Sequence, residues 1–217
     1  MEKHKAHPIK HNKRHKKNKI LKWQILVAVL VLLLIISILT RGFSSCLITK
    51  DKTTETITEG NAKGNPDAKV TIIEYSSFSC GYCKRVIPTI DQILQTYPED
   101  VKVIYKHFNR GGTDSQTAQA TECAGEQGKF WEMHDEIFAS GANGNLETYA
   151  QTIGLDTTKF KQCLSSGKYA SKVTADTTEG RGLGIGGTPS FVINGELLIG
   201  AQPFEAFKQV IDAKLAE

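Results

Sequence analysis

Residues 69–97 read KVTIIEYSSFSCGYCKRVIPTIDQILQTY. The first seven, Lys69 to Tyr75, form a short β-branched run of the kind that makes a buried strand. Ser76 to Ser79 read as a loop. From Cys80 to Tyr97 the apolar residues Val86, Ile87, Ile90, Ile93 and Leu94 recur at helical spacing, and Pro98 stops the helix. Val101 to His107 is a second apolar run of strand type. Strand, helix and strand in this order make a βαβ unit, which implies parallel pairing through a crossover helix.

Working towards the C-terminus, the pattern turns helical from Ser115 to about Thr178, with Ala118, Cys123, Phe130, Met133, Ile137 and Phe138 as apolar positions. Gly141 to Gly144 break it, and two shorter helical stretches follow at Leu146–Gln151 and Thr157–Leu164. After a Gly-rich segment, Gly180 to Gly187, comes Pro189 to Ile199, in which Asn194-Gly195 separates two apolar runs and signals a tight hairpin. Pro203 to Leu215 is an amphipathic helix. The predicted fold class is therefore α/β: βαβ, an all-helical insertion at about 113–180, then ββα. Length agrees, since 217 residues hold one ordinary domain plus appendages.

Towards the N-terminus the composition changes. Residues 1–24 carry eight Lys and Arg14 against Glu2, a net charge of +8, whereas the rest of the chain is net −4. Basicity thus belongs to a tail and gives no reason to expect nucleic-acid binding by the folded part. The tail abuts an uncharged stretch of 18 residues, Trp23 to Thr40. As a helix it spans roughly 27 Å, close to a bilayer's ~30 Å of hydrocarbon. Basic residues ahead of the span predict a cytoplasmic N-terminus and an exported C-terminal domain. The expected organisation is a basic cytoplasmic tail (1–22), a transmembrane signal-anchor (23–40), a polar linker (41–63) and the domain (64–217). A cleaved signal peptide is the competing reading, without an A-x-A-like site to support it. A lipoprotein route through Cys46 is weaker, because Arg41 separates that cysteine from the apolar core.

Cys80-Gly81-Tyr82-Cys83 stands where the loop passes into the helix. At a helix N-terminus, unpaired N–H groups and the macrodipole favour an anion. The Cys80 thiol is accordingly expected to ionise easily and to be the nucleophile. Cys83 lies one turn deeper on the same face, placed to form and to resolve a disulfide. The alternatives are half a zinc site, for which Cys123, Cys163, His107 and His134 have no standard ligand spacing, and a purely structural disulfide.

These segments resemble a known family. CGYCKRVIP, with Pro88 five residues after the second cysteine, is similar to the thioredoxin active-site helix, and Gly187-Thr188-Pro189 resembles that family's cis-proline loop. The inserted helical block, Phe130-Trp131 and Gly186 to Phe191 resemble the DsbA-like branch of thiol–disulfide oxidoreductases over about residues 64–215. The resemblance implies that Glu74 is the buried acid that exchanges a proton with the second cysteine, and a carboxyl desolvated in an apolar strand is a workable base for a thiol. A strand-edge glutamate in solvent is the plain alternative. Thr188, Pro189, Gly81 and Tyr82 would meet the substrate, Thr188 through backbone groups; a simple structural turn is the alternative for Thr188.

Departures from the family matter. DsbA-like oxidases often carry Pro-His between the cysteines; Gly-Tyr here, with Thr before the proline, resembles bacterial disulfide isomerases, whose separate dimerisation domain has no counterpart in this linker. Oxidase, isomerase and reductase directions stay open, with a couple less oxidising than the Pro-His enzymes expected. A non-catalytic peptide-binding module is the remaining alternative.

Cys123 and Cys163 fall on separate helices, and in an exported domain two such cysteines are expected to pair, as in similar DsbA-like proteins. Two free buried thiols, or a relay with Cys80 and Cys83, are the other readings. Cys46 is the odd cysteine. His4, His7, His11 and His15 sit in the basic tail and read as part of a solvated topogenic segment. Lys106 and His107 end the second strand near the expected site edge, close enough to bias Glu74 or Cys80 but not assigned a catalytic role; Arg181 is equally uncommitted. No cofactor and no metal are expected, because the cysteine pair is the redox group. The expected partners are protein or peptide thiols and disulfides, and a membrane redox protein that resets the pair.

Overall fold

The structure is a computed structural model that describes residues 28–33, 60–109 and 111–217. These belong to two separate units, residues 1–54 and 55–217. In the first, residues 28–33 are helical and exposed. The basic tail, most of the expected span at 23–40, Cys46 and most of the expected linker lie outside the described residues. Among the described residues no helix is long and apolar enough to cross a membrane.

In the second unit the elements run β1 (Asn61–Gly64), β2 (Val70–Ser76), α1 (Gly81–Thr96), β3 (Val101–His107), α2 (Thr113–Gly125), α3 (Phe130–Ser140), α4 (Leu146–Thr152), α5 (Thr157–Ser166), α6 (Ala170–Gly182), β4 (Ser190–Ile193), β5 (Glu196–Ile199) and α7 (Phe204–Ala216). The sheet order is β1-β3-β2-β4-β5. β2 and β3 pair in parallel, Val70 opposite Val101 through Ser76 opposite His107, and the other pairings are antiparallel. This is the expected thioredoxin-like α/β arrangement with its helical insertion.

One face of the sheet buries Val70, Ile72, Val101, Val103, Phe191 and Ile193 against Val86, Ile90 and Ile93 of α1 and Phe207 and Ile211 of α7. The opposite face carries Ile73, Tyr75 and Val192 with Phe108 and Ile185. Helices α2 to α5 build their own core on Phe130, Met133, Ile137, Phe138 and Phe160, and this core continues into Phe78, Tyr105 and the two site cysteines. The insertion therefore packs against the end of the sheet where the cysteine pair lies.

β1 corrects the expected linker. Asn61 to Gly64, assigned to the polar connection, is an edge strand in register with β3, Asn61 opposite Tyr105 and Gly64 opposite Lys102. Its NAKG sequence has no apolar alternation to betray it. Backbone pairing holds it, together with Trp131 Nε1 donating to the Ala62 carbonyl at 3.0 Å and Asn61 Nδ2 donating to Glu122 at 3.0 Å. α6 also runs further than its glycines suggest, ending at Gly182. A Cβ at Gly180 would come within 2.9 Å of the Tyr75 ring and 3.0 Å of Phe108. Close approach of helix to sheet here outweighs the ~1 kcal/mol that glycine costs a helix. The hairpin turn is as read, with Asn194 at φ 43° and Gly195 at φ 89°, the pair of positive values that a type I′ turn requires.

Candidate active site

Cys80 is the N-cap of α1, extended at φ −97° and ψ 112°, and its carbonyl accepts from the Cys83 N–H at 3.0 Å. The loop before it is fixed from the insertion. Asp114, buried in the first turn of α2, accepts from Ser77 Oγ at 2.8 Å and from the Ser79 N–H at 3.3 Å. The Cys80 N–H in turn donates to the Ser77 carbonyl at 3.1 Å. Cys80 and Cys83 are both buried thiols. Pro88 lies inside α1, beyond the pair.

The Thr188–Pro189 peptide is cis, and Cys80 Sγ donates to the Thr188 carbonyl at 3.3 Å. Two segments that the resemblance put together are thus in contact. Tyr82, between the cysteines, is 59% exposed, and the Arg85 guanidinium stacks 4.0 Å from its ring centroid. The dipeptide contributes no cation of its own, but the i, i+3 neighbour brings one to it.

The two thiols differ sharply. Burial alone would push the Cys80 thiol up, but the side chain of Thr188 and the N–H groups of Cys83 and Tyr82 outweigh it and hold Cys80 below the ordinary thiol value. Burial dominates at Cys83, whose thiol is pushed up to about 12, with Glu74 and Cys80 adding repulsion and Ser76 and the Ser77 N–H opposing. Glu74 is buried on the central strand β2, not at a strand edge in solvent. Desolvation pushes its carboxyl up to about 7, with the Ser76 hydroxyl partly offsetting it. An easily ionised outer thiol, a reluctant inner one and a carboxyl that titrates near neutrality can divide nucleophile, resolving thiol and proton acceptor among three residues.

His107 ends β3 beside the site loop, lining a small cavity with Ser76, Ser77 and Asp114, while the charges of Lys106 and His107 are taken up by acids of the insertion. Alternation turns Lys106 to the far face, 3.6 Å from Asp176 and 3.4 Å from Glu179, and His107 Nε2 lies 2.9 Å from Glu122. Both are engaged in joining the sheet to the insertion. Sequence reasoning missed Ser76, Tyr105 and Asp114. Ser76 was legible, being two residues from Glu74 and so on the same strand face; Asp114 was not, since nothing local ties α2 to the loop at Ser77. Cys123 and Cys163 form a disulfide between α2 and α5, with Cα atoms 5.8 Å apart. Among the described residues no cluster of His, Cys, Asp and Glu is placed to hold a metal.

Fold and cysteine pair together define a class, thioredoxin-like proteins with a helical insertion and a cysteine pair at the mouth of the first helix. The chain belongs to the thioredoxin family, whose model, described as Thioredoxin, matches residues 56–213. It is similar in structure to the thiol-disulfide exchange protein alpha-DsbA2 from Wolbachia pipientis, at 20% identity and TM-score 0.67, covering 75% of this chain and 91% of that one. It is also similar to a periplasmic thioredoxin-like protein from Salmonella enterica serovar Typhimurium, at 22% identity and TM-score 0.64, covering 77% and 98%. In sequence, it is 30% identical over 162 residues to Na(+)/H(+) antiporter NhaA 3 of Salinispora tropica, covering 72% of this chain and 25% of that protein. The chain thus spans about a quarter of the length of the curated relatives it matches.

Proposed function

We propose that the chain forms or exchanges disulfides in protein substrates, with Cys80 as nucleophile, Cys83 as resolving thiol and Glu74 as the group that takes and returns the Cys83 proton. The observation that carries this reading is the opposed electrostatics of the two thiols, one eased towards its anion at a helix N-cap and the other held neutral by burial. In the oxidising direction a client thiolate attacks Cys80 of the oxidised pair, Cys83 leaves, and the client's second thiol resolves the mixed disulfide. In the reducing direction the Cys80 thiolate attacks a client disulfide, one client sulfur leaves, and Cys83 resolves the mixed disulfide by releasing the other. The Thr188 carbonyl, next to cis Pro189, faces Cys80, and exposed Tyr82 with Gly81 borders it; together they are the surface a client segment would meet. Stabilising the Cys80 thiolate stabilises the reduced pair and so favours the oxidising direction. The same site would serve an isomerase or a reductase, and the reduction potential of the pair separates these directions.

The reading places this chemistry outside the cytoplasm, tethered by residues 23–40 with the N-terminus inside. The +8 tail ahead of an uncharged 18-residue stretch supports that orientation, as does the periplasmic description of one structural relative. Resetting the pair then calls for a membrane redox partner. The test is insulin reduction and refolding of a scrambled disulfide protein: Cys80→Ala is expected to abolish both activities, and retention of either refutes the assignment. Cys83→Ala is expected to accumulate mixed disulfides with clients. Digestion of the tail by protease added outside intact cells would overturn the orientation.

A further inference from the structure

Lys84 and Arg85 are the only charged residues in the two segments that meet at the cysteine pair, residues 76–90 and 183–190. No acid stands in the first turn of α1, and Asp114, behind the loop at Ser77, is buried. The rim of the site is therefore cationic, on a chain whose residues beyond the N-terminal tail are net −4. Fixed charge at a site mouth steers and selects partners of the opposite sign.

The two cations are held differently. Lys84 Nζ donates to the Ala139 carbonyl near the end of α3, 3.3 Å away. Arg85 makes no ion pair and no side-chain hydrogen bond among the described residues, and its guanidinium rests 4.0 Å from the centre of the Tyr82 ring. Both residues are exposed. Stacking restrains a flexible side chain, so less freedom is lost when its unspent N–H fork closes on an anion. Tyr82 stands between the cysteines, which ties the stack to the reacting pair. The ground around it is open: a Cβ at Gly81, Gly186 or Gly187 would meet nothing within 4 Å. A client chain therefore has room to lie against both segments.

We infer that the Tyr82–Arg85 stack is a carboxylate subsite, which favours client segments bearing an acidic residue close to the sulfur that reacts with Cys80. This deepens the exchange reading proposed above and rests on it. The guanidinium donates a forked pair of N–H bonds to the client carboxylate. Meanwhile the Cys80 thiolate attacks the client disulfide: a Cys80–client bond forms, and the other client sulfur leaves as a thiolate. Cys83, giving up its proton, then displaces the bound client sulfur and closes the Cys80–Cys83 bond. The client disulfide is reduced and the cysteine pair oxidised; Arg85 enters neither bond and acts through binding. A planar fork on a ring suits a carboxylate better than a lysine's point charge does, which is why Arg85 rather than Lys84 is the reading group.

The test is oxidation of the reduced full-length chain by three symmetrical small disulfides, anionic dithiodipropionate, neutral hydroxyethyl disulfide and cationic cystamine, followed by acid quench and mass spectrometry. Each probe is compared between wild type and variant, so its own reactivity cancels. Arg85→Gln is expected to lower the anionic-to-neutral rate ratio about fivefold, the upper range for one exposed charge pair, and to raise the cationic-to-neutral ratio. Arg85→Lys keeps the charge without the fork or the stack and is expected to fall between. A further arm needs no variant: wild type is expected to prefer the anionic probe more than mercaptoethanol does, and that excess shrinks as salt is raised. An unchanged anionic-to-neutral ratio in Arg85→Gln, including equal losses with all three probes, overturns the subsite alone, as does a wild type with no excess over mercaptoethanol. A reduced wild-type protein that none of the probes oxidises overturns the exchange reading and the subsite together.

Discussion

Cys80 Sγ lies 3.3 Å from the main-chain oxygen of Thr188, a contact between residues 108 apart in sequence. The carbonyl can hold only the protonated sulfur, since it has no proton to offer an anion. The Thr188 side chain works the other way and favours the thiolate. One residue of the loop before Pro189 therefore presents opposed groups to the nucleophile, and removing the side chain leaves the carbonyl in place.

Thr188→Val keeps shape and loses the hydroxyl. The Cys80 thiol is expected to ionise at higher pH than in the wild type, with the alkylation rate near neutrality several-fold lower, because the thiolate is the reacting form. Following thiolate ultraviolet absorbance against pH checks this. An unchanged titration would remove Thr188 from the electrostatics of the site.

Glu74→Gln is expected to stabilise the protein in a pH-dependent way. The carboxyl titrates near 7 when folded against an ordinary value of 4.5. Below 4.5 it is protonated in both states and costs nothing. Between these values the folded protein keeps a proton that the unfolded chain has lost, so stability falls as pH rises, by about 3 kcal/mol once pH passes 7. Urea unfolding of the two proteins should coincide near pH 4 and diverge above pH 7, the variant being the more stable. Equal midpoints at high pH would show the carboxyl to be solvated.

Glu122 is the opposite case. Burial would raise its carboxyl, but His107 and Lys172 outweigh burial and hold it low, at 2.9 Å from each. Its contribution is full above the ordinary carboxylate value and is lost as pH falls through the depressed one. Glu122→Ala leaves the buried His107 ring and the half-buried Lys172 amine without their shared acceptor and is expected to destabilise by about 3 kcal/mol at neutral pH. Thermal unfolding at neutral and acid pH would show the gap from wild type narrowing on acidification.

Replacing both Cys123 and Cys163 by Ala opens a loop of 40 residues. On the chain-entropy relation the loss is about 4 kcal/mol. Exchange at Cys80 should continue at temperatures where the variant is folded, since the bridge joins α2 and α5 and neither residue contacts the pair through a hydrogen bond. Loss of exchange in a folded double variant would make the bridge part of the redox machinery.

Local signals sufficed for most of the architecture. Apolar periodicity marked β2, α1 and β3, and Asn194-Gly195 marked the β4–β5 turn, because those features are written in residues that are neighbours in the chain. Cys80, Cys83 and Pro189 were legible for the same reason: each sits in a short motif whose geometry is local. β1 was not legible, for NAKG buries almost nothing and is held by pairing with β3, which no feature of its own sequence announces. The partners of Lys106 and His107 were not legible, because strand alternation and distant acids, Asp176, Glu179 and Glu122, decide what each side chain meets.

Chain-local chemistry, then, was enough to name a thiol pair at a helix mouth and the topology that carries it. How those thiols ionise was a matter of assembly. Cys83 and Glu74 are ordinary groups until the sheet, α1 and the insertion exclude water from them together. Desolvation sums over neighbours from the whole chain, and so does the electrostatic balance at Cys80, where Thr188 arrives from across the fold.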